Sequence, residues 1–437
     1  MEPLLWNRAL TSMCECQAEF NDLHAKLYDA IMKDDQKQIT SLLKLHPVNE
    51  SITMWRNCAL MLIYQIQGLS ILPIHLAAVY RKVKSLECLI QHQADLEAKD
   101  ARGRRPLHLI LTHWPNIAQE WIIPKTKFER AMASMQNRAE ACLRLLCQNG
   151  VDVNATVGAE CRDTPLHLAV QQGAWPAVAV LARHGADLEA EDQHGMTPLH
   201  MASGLLDWRV AEELLGRGAW VDSRVPGSGC TPLQLAVGAA SGKAGRLLGA
   251  GLNCVRALLA AGASVDACDW QGRSPAHEAC FGGREDVVDL LLEHGANLGL
   301  RTELGKTPLA LFLECRPNLQ HRRLLAKLLS LSCPPRISGT SGELPGGLRG
   351  LESRRHLEFL QALCREPPSL LHLCRVAVRR AHPRSRAQQL LPAPLWRFVC
   401  GYQDYAKRLE EVEEGLDEQQ EPRAQDRLDF SLDGLHL

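Results

Sequence analysis

The tetrapeptide Thr-Pro-Leu-His occurs at Thr164 and returns 33 residues later at Thr197. Related copies can be aligned on their proline, and the spacings between successive prolines are 33, 59, 33, 34, 43 and 33 residues. A fixed period of this size predicts stacked structural units, each too small to bury its own apolar face. The aligned prolines are Pro73, Pro106, Pro165, Pro198, Pro232, Pro275 and Pro308.

The recurring residues predict where each helix begins and ends. A threonine hydroxyl can cap the first helix of a unit, and the proline after it occupies the first helical position, where no amide hydrogen bond is lost. Gln93 stands where the other second helices end in glycine, and a left-handed conformation there would cost about 1 kcal/mol. Those glycines accept the left-handed conformation that ends a helix; they are Gly150, Gly185, Gly218, Gly262 and Gly295.

Several fixed positions recur together, and in this the chain resembles the ankyrin-repeat family. The copies are TPLHLAV, TPLHMAS, TPLQLAV, SPAHEAC and TPLALFL, with looser copies LPIHLAA and RPLHLIL before them. The resemblance implies an all-α repeat solenoid of stacked helix-turn-helix units with short β-hairpin-like turns. We expect an N-terminal extension over residues 1–22 and repeats over 23–331, seven recognisable and a degenerate first one, with insertions near 112–138 and 238–251.

One histidine occupies the same place in most copies, which raises the question of catalysis or metal binding. We interpret these histidines as hydrogen-bonding links between turns and neighbouring repeats, as the family resemblance implies. Gln234 and Ala310 replace the histidine in two copies, which a metal-ligand role would not easily tolerate. The histidines are His75, His108, His167, His200 and His277.

The hairpin tips and the insertions are free of the repeat consensus, so they are the expected binding positions. At the tips we expect Arg102, His194, Trp270 and Gln271 to contact a partner protein. An exposed tryptophan is typical of a binding hot spot, although Trp270 folding back on a neighbouring hairpin is an equal alternative.

The first insertion carries Trp114 and Trp121, which are candidate partner contacts. The alternative is that this insertion lengthens a helix pair and covers its own groove. The second insertion contains glycines with Lys243 and Arg246, but it does not follow a strand and lacks the Gly-Lys-Ser/Thr order of a phosphate loop.

The repeat pattern stops before a segment rich in proline, glycine and serine, and residues 332–366 are predicted to be a linker and a helix. In the next segment, residues 367–402, apolar residues fall on one helical stripe, and Leu-Pro-Ala-Pro follows from Leu391. This segment resembles the SOCS box of ankyrin-repeat and SOCS-box proteins. The resemblance implies that Leu370, Cys374 and Val378 contact elongin C, and that Leu391, Pro392 and Pro394 contact a cullin.

Two functions follow, and the sequence leaves both open. In the first, the chain recruits a substrate to a ubiquitin ligase built on elongins B and C and a cullin. In the second, it is a plain ankyrin scaffold whose C-terminal helices only cap the repeats. Residues 403–437 are predicted to be an acidic, disordered tail in either case.

Composition argues against several other functions. With 49 Lys+Arg against 50 Asp+Glu, the formal net charge of −1 provides no general attraction to nucleic acid or anionic membranes. The 16 cysteines are scattered without a Cys-x-x-Cys pair, which favours reduced thiols in an intracellular protein. We therefore expect a cytoplasmic or nuclear monomer that binds protein, with no enzymatic activity, cofactor, metal site or membrane association.

Overall fold

The computed structural model describes residues 22–54, 69–115, 126–157, 162–242, 251–332, 335–340, 342–349, 354–365, 370–381 and 409. It consists of two compact units, residues 1–227 and 228–437. The first unit begins with helices over residues 22–33 and Gln36–Leu42. A short antiparallel pair of strands, Ile52–Met54 with Leu69–Ile71, comes next.

A helix begins at each of the seven aligned prolines, and a second helix returns antiparallel to it in each repeat. The first unit contains Pro73–Val79 with Val83–Gln91, Pro106–Thr112 with Lys127–Gln148, Pro165–Gln171 with Trp175–Arg183, and Pro198–Gly204 with Trp208–Gly216. The second unit contains Pro232–Ser241 with Gly251–Ala260, Pro275–Phe281 with Glu285–Glu293, and Pro308–Phe312 with Arg322–Leu331. The predicted all-α repeat architecture is confirmed.

In each repeat the residues one and four positions after the proline are part of the core. In the repeat that begins at Pro165 these are Leu166 and Ala169, and both are fully buried. Alanine at the second position lets the first helices of neighbouring repeats approach closely, while the leucine fills the space between the two helices of a pair. Leu199 and Ala202 occupy the same places in the following repeat.

The predicted caps are observed at both ends of the helices. Thr164 Oγ1 accepts a hydrogen bond from the backbone amide of His167, and Thr231 Oγ1 does the same for Gln234. Gln93 has φ of +64°, so the left-handed conformation predicted for it is confirmed. The five glycines at equivalent positions have φ between +81° and +94°.

At the first insertion the structure agrees with the alternative that the insertion lengthens a helix pair. The helix Lys127–Gln148 begins within the insertion predicted near residues 112–138. It begins there because Thr126 and Glu129 form a capping box, in which the Glu129 amide donates to Thr126 Oγ1 and the Thr126 amide donates to Glu129 Oε2, both at 3.1 Å. Part of this insertion is therefore a longer second helix.

Residues 335–340 and 342–349 lie in the segment predicted to be a linker and a helix (332–366), and they follow the geometry of a further repeat. Gly342 lies three residues before Pro345, just as Gly305 lies three residues before Pro308, and their φ values are +70° and +71°. The Thr340 amide donates to Leu304 O at 2.9 Å. The repeat geometry thus continues past the last recognisable copy.

The remainder of this divergent unit is shorter than a complete repeat. A 3-10 turn, Gly346–Leu348, stands in place of the first helix, and the Gly347 amide donates to Leu313 O at 3.1 Å. The helix Arg354–Arg365 packs on this turn and buries Leu360 and Leu363. The glycines at 346 and 347 make this unit hard to recognise as a repeat in the sequence. A Cβ at Gly347 would lie only 2.5 Å from Leu313 O, so the close approach of the backbone at residue 347 to Leu313 requires glycine.

We predict that Gln93→Gly raises the midpoint of urea unfolding, since it removes about 1 kcal/mol of left-handed strain from an exposed position. Gln91→Gly is the matched control, because the same substitution two residues earlier lies inside the helix and should cost about 1 kcal/mol. Equal losses of stability in the two variants would contradict the strain at Gln93.

Candidate functional site

The fixed histidines join each repeat to the hairpin of the next one. His75 Nε2 lies 2.9 Å from Ala98 O, and His108 Nε2 lies 2.8 Å from Ala155 O. The corresponding distances from His167, His200 and His277 to their carbonyl oxygens are 3.1, 3.0 and 3.2 Å. The interpretation of these histidines as links between repeats is confirmed.

The geometry of this link requires a neutral imidazole. The backbone amide of Thr164 donates to His167 Nδ1, and the amide of Ser274 donates to His277 Nδ1. Because Nδ1 accepts, the ring proton is on Nε2, which donates to the carbonyl of the next hairpin. Burial lowers the pKa of His108 and of His277 to about 4, so both rings stay neutral in the folded protein at physiological pH.

Gln234 explains why a repeat without histidine still fits. Its Oε1 accepts from the Thr231 amide at 2.9 Å, and its Nε2 donates to Arg273 O at 2.6 Å. The side-chain amide therefore reproduces both hydrogen bonds of a neutral histidine. In the last recognisable repeat, which has Ala310, Thr307 Oγ1 donates to Arg336 O at 3.3 Å instead.

An aspartate shapes each regular hairpin tip and leaves two residues exposed. Asp192 Oδ1 accepts from the amides of His194 and Met196, at 2.7 and 2.8 Å. Asp269 Oδ1 accepts in the same way from the amides of Gln271 and Arg273. The carboxylate thus closes the turn from inside, and the two residues that follow the aspartate are exposed, as Gln193 and His194 are after Asp192.

The predicted tip residues are exposed. Arg102, His194 and Gln271 all lie on the surface, and Trp270 keeps 54% of its surface exposed. Trp270 also lies against the neighbouring hairpin, because a Cβ at Gly229 would come within 2.6 Å of the indole. Trp270 thus packs on the neighbouring hairpin with part of its surface, and a role in partner binding stays a prediction.

Backbone hydrogen bonds connect the tips of the second unit. The Trp270 amide donates to Ser228 O at 3.0 Å, and the Glu303 amide donates to Gln271 O at 2.9 Å. Leu304, 66% exposed, lies at the next tip beside Glu303. Its place directly before the tip glycine Gly305 is visible in the sequence.

Trp114 of the first insertion does not belong to the predicted partner surface. Trp114 is only 6% exposed and belongs to the core, so its expected role as a contact residue is corrected. Its amide donates to Leu111 O at the end of the helix Pro106–Thr112, which places the side chain among buried residues. Trp121 lies outside the described residues.

The C-terminal segment contains a helix, Leu370–Ala381. Cys374 is exposed, Leu373 is 44% exposed, and Val378 is half-buried, whereas Arg375 and Val376 are buried. The helix therefore packs through one face and leaves another open. The Leu370 side chain, Leu391, Pro392 and Pro394 lie outside the described part.

A second set of side-chain hydrogen bonds connects repeats of the first unit along the segment that leads from the second helix to the hairpin. Glu97 Oε1 accepts from the Asp152 amide at 2.8 Å, Asn154 Oδ1 from the Asp187 amide at 2.8 Å, and Glu189 Oε1 from the Trp220 amide at 2.7 Å. The sequence analysis missed these contacts, because the donors are backbone amides. We call this row of residues the acceptor edge.

Three further features bear on what the described residues can do: metal binding, membrane-spanning helices and a reactive cysteine. No group of three or more His, Cys, Asp or Glu side chains there is placed to hold a metal ion. None of the described helices combines the length and apolar character needed to cross a membrane. Burial raises the pKa of the Cys147 thiol to about 11, so this cysteine is not activated as a nucleophile.

The family model described as "Ankyrin repeats" matches residues 131–225, 208–302 and 244–329. This match agrees with the helix pairs, hairpin tips and histidine links seen over the same residues. The chain therefore contains an ankyrin-repeat domain, and this domain is a protein-binding module.

Several known proteins are similar in sequence to part of this chain. Human ankyrin repeat and SOCS box protein 16 is 26% identical over 63% of this chain and 74% of its own length. A putative palmitoyltransferase ZDHHC13 of Danio rerio is 32% identical over 48% of this chain, and the matched part is only 30% of that relative's length. The crystal structure of the human ASB11 ankyrin repeat domain matches with a TM-score of 0.41 and 27% identity, over 54% of this chain and 90% of that one.

We predict that the protein loses stability as the pH falls from about 6.5 to about 4. In this range the unfolded chain binds protons at histidines that stay neutral when folded, so each such histidine lowers the free energy of unfolding by up to about 1.4 kcal/mol per pH unit. Urea midpoints measured between pH 7 and pH 4 test this.

The variant His277→Gln isolates one histidine, because Gln234 shows that glutamine can make both hydrogen bonds. It should keep most of the stability at pH 7 and lose less on acidification than wild type. An identical pH dependence in the two proteins would contradict the low pKa of His277.

Proposed function

We propose that the protein is a substrate-recruiting adaptor of an elongin and cullin ubiquitin ligase. In this proposal the ankyrin repeats hold a target protein, and the C-terminal segment binds elongin C through Leu370, Cys374 and Val378. Leu391, Pro392 and Pro394 would contact the cullin. The observation that carries the proposal is the helix Leu370–Ala381, which exposes Leu373 and Cys374.

The two faces of this helix differ in a way that suits a second partner. Val376 is 7% exposed and Arg375 is 5% exposed, so the side that packs on the rest of the unit is occupied. Positions 373, 374 and 377 lie on the other side of the helical wheel, and all three are exposed. An apolar helix face of this kind can enter a groove on a partner protein.

Relatives support the same proposal. One of them is named ankyrin repeat and SOCS box protein 16, and the match covers 74% of its length. The match to the palmitoyltransferase covers 30% of that relative, and we propose that its catalytic activity does not extend to this chain. We propose instead a non-enzymatic protein that acts in the cytoplasm or nucleus and needs no cofactor.

The target protein would bind at the hairpin tips. In the second unit the tips provide Trp270, Gln271 and Leu304, held in one row by the bond from the Glu303 amide to Gln271 O. In the first unit they provide Arg102 and His194. Large side chains on a rigid backbone frame suit protein recognition, because little conformational entropy is lost on binding.

A plain scaffold is the second candidate, and a specific contact favours it. Val376 lines a cavity of about 210 Å³ together with Leu331, the last residue of the helix Arg322–Leu331. In this alternative the helix Leu370–Ala381 only shields the end of the repeats from water. The adaptor requires the exposed face of the helix Leu370–Ala381 for elongin binding, whereas the scaffold does not use this face.

Co-expression with elongins B and C, followed by size-exclusion chromatography, separates the two candidates. We predict a stable complex with wild type that is lost in Leu370→Glu/Cys374→Glu, with the thermal unfolding temperature nearly unchanged. Leu304→Glu is the control, since it alters an exposed tip residue and should leave the elongin complex intact.

Each other outcome has a definite meaning. A complex that survives the double substitution would contradict the assignment of elongin binding to this helix. Absence of a complex with wild type, with a lower unfolding temperature in the double variant, would support the scaffold that uses the helix as a cap.

A further inference from the structure

Trp220 is an exposed tryptophan at a repeat position where three other copies have aspartate. The equivalent residues are Asp95, Asp152 and Asp187. The Trp220 side chain is 68% exposed, more than any other tryptophan among the described residues. The position requires no aromatic side chain for packing, because aspartate occupies it elsewhere in the same fold. A tryptophan with this exposure is typical of a contact residue.

The surroundings of Trp220 are acidic and fixed by the acceptor edge. Glu189 Oε1 accepts the Trp220 amide at 2.7 Å, which places a carboxylate directly beside this residue. Asp187 precedes Glu189 on the same segment, and its Oδ1 accepts from the Glu189 amide at 2.9 Å. Asp222, two residues after Trp220, is also exposed. Trp220 thus has the Glu189 carboxylate at its backbone amide and further acidic residues close by along both segments.

The electrostatics at Glu189 favour the arrival of a cation. Partial burial raises the pKa of Glu189, the Trp220 amide opposes this shift, and the negative charge of Asp187 raises the pKa further. Like charges this close are stabilised when a positive group binds between them. The local charge therefore selects a basic partner rather than an acidic or purely apolar one.

The second helix of the same repeat, Trp208–Gly216, shows the kind of contact that the Trp220 indole offers. Arg209 Cζ lies 5.4 Å from the ring centroid of Trp208, within the range of a cation–π interaction. By contrast, Trp270 is already packed against Gly229, so its indole is partly accounted for by its own unit. Trp220 has no comparable packing requirement, since its equivalents are aspartates.

We propose that the acceptor edge around Trp220 binds an arginine-containing segment of a partner protein. The guanidinium stacks on the indole and pairs with the carboxylates of Asp187, Glu189 and Asp222. Arginine fits better than lysine because its planar, weakly hydrated group can stack and form hydrogen bonds at the same time. This surface consists of residues other than those of the tips and of the C-terminal helix, so the inference does not depend on the adaptor function.

Fluorescence anisotropy with the full chain tests the proposal. The probes are fluorescein-labelled heptapeptides in which glycine alternates with arginine, lysine or glutamate. We expect the arginine peptide to bind at least tenfold more tightly than the glutamate peptide, and about twofold or more above the lysine peptide. Added salt should weaken binding of both basic peptides.

The variant Trp220→Asp separates stacking from simple charge attraction. It introduces the residue that three other copies have, so folding should be preserved, and the thermal unfolding temperature checks this. The substitution adds a negative charge, yet we expect about threefold to tenfold weaker binding of the arginine peptide. Trp175→Ala is the matched control, because it removes another exposed tryptophan, at the start of the helix Trp175–Arg183, and it should leave the affinity unchanged.

Two results would overturn the proposal. Equal or tighter binding by Trp220→Asp would show that the indole takes no part, and equal binding of arginine and glutamate peptides would show that the edge does not select a cation. Neither result bears on elongin binding, which the chromatography experiment decides separately.

Discussion

The hydrogen bond from a neutral imidazole to a backbone carbonyl is the contact on which the stacking of repeats depends. In four repeats the first helix's cap, the imidazole and the next hairpin are joined through one side chain, such as His277 between the Ser274 amide and Lys306 O. Protonation would place a second N–H against the amide of the cap, so the link requires a ring that stays uncharged. Burial supplies that condition by disfavouring the charged form.

Once this contact fixes the hairpins, their tips need no packing residues and can vary. The tip aspartates accept hydrogen bonds from the backbone amides of the turn, as Asp269 does from Gln271, so the exposed side chains are not needed to hold the turn. Exposed large residues occur at more than one edge: Leu304 at a tip, Trp220 on the acceptor edge and Leu373 on the C-terminal helix.

The sequence predicted the helix starts, caps and histidine links, because each depends on a local residue type at a fixed spacing. It did not predict the burial of Trp114, since the pattern gives no sign of which insertion residues face the core. The acceptor edge was missed because its donors are backbone amides, which every sequence contains. A linker is predicted after Leu331, because the glycines at 346 and 347 interrupt the apolar pattern of a first helix. In the structure the 3-10 turn Gly346–Leu348 stands at that place.

The continuation of repeat geometry past Leu331 can be tested most directly by hydrogen–deuterium exchange. The amides of Thr340 and Gly347 donate to Leu304 O and Leu313 O, as the Glu303 amide does to Gln271 O in the preceding repeat. Peptides covering residues 335–349 should therefore exchange as slowly as those covering 300–306. Complete exchange of residues 335–349 at the shortest labelling time, with 300–306 still protected, would show that the repeats end at Leu331 and that a linker follows.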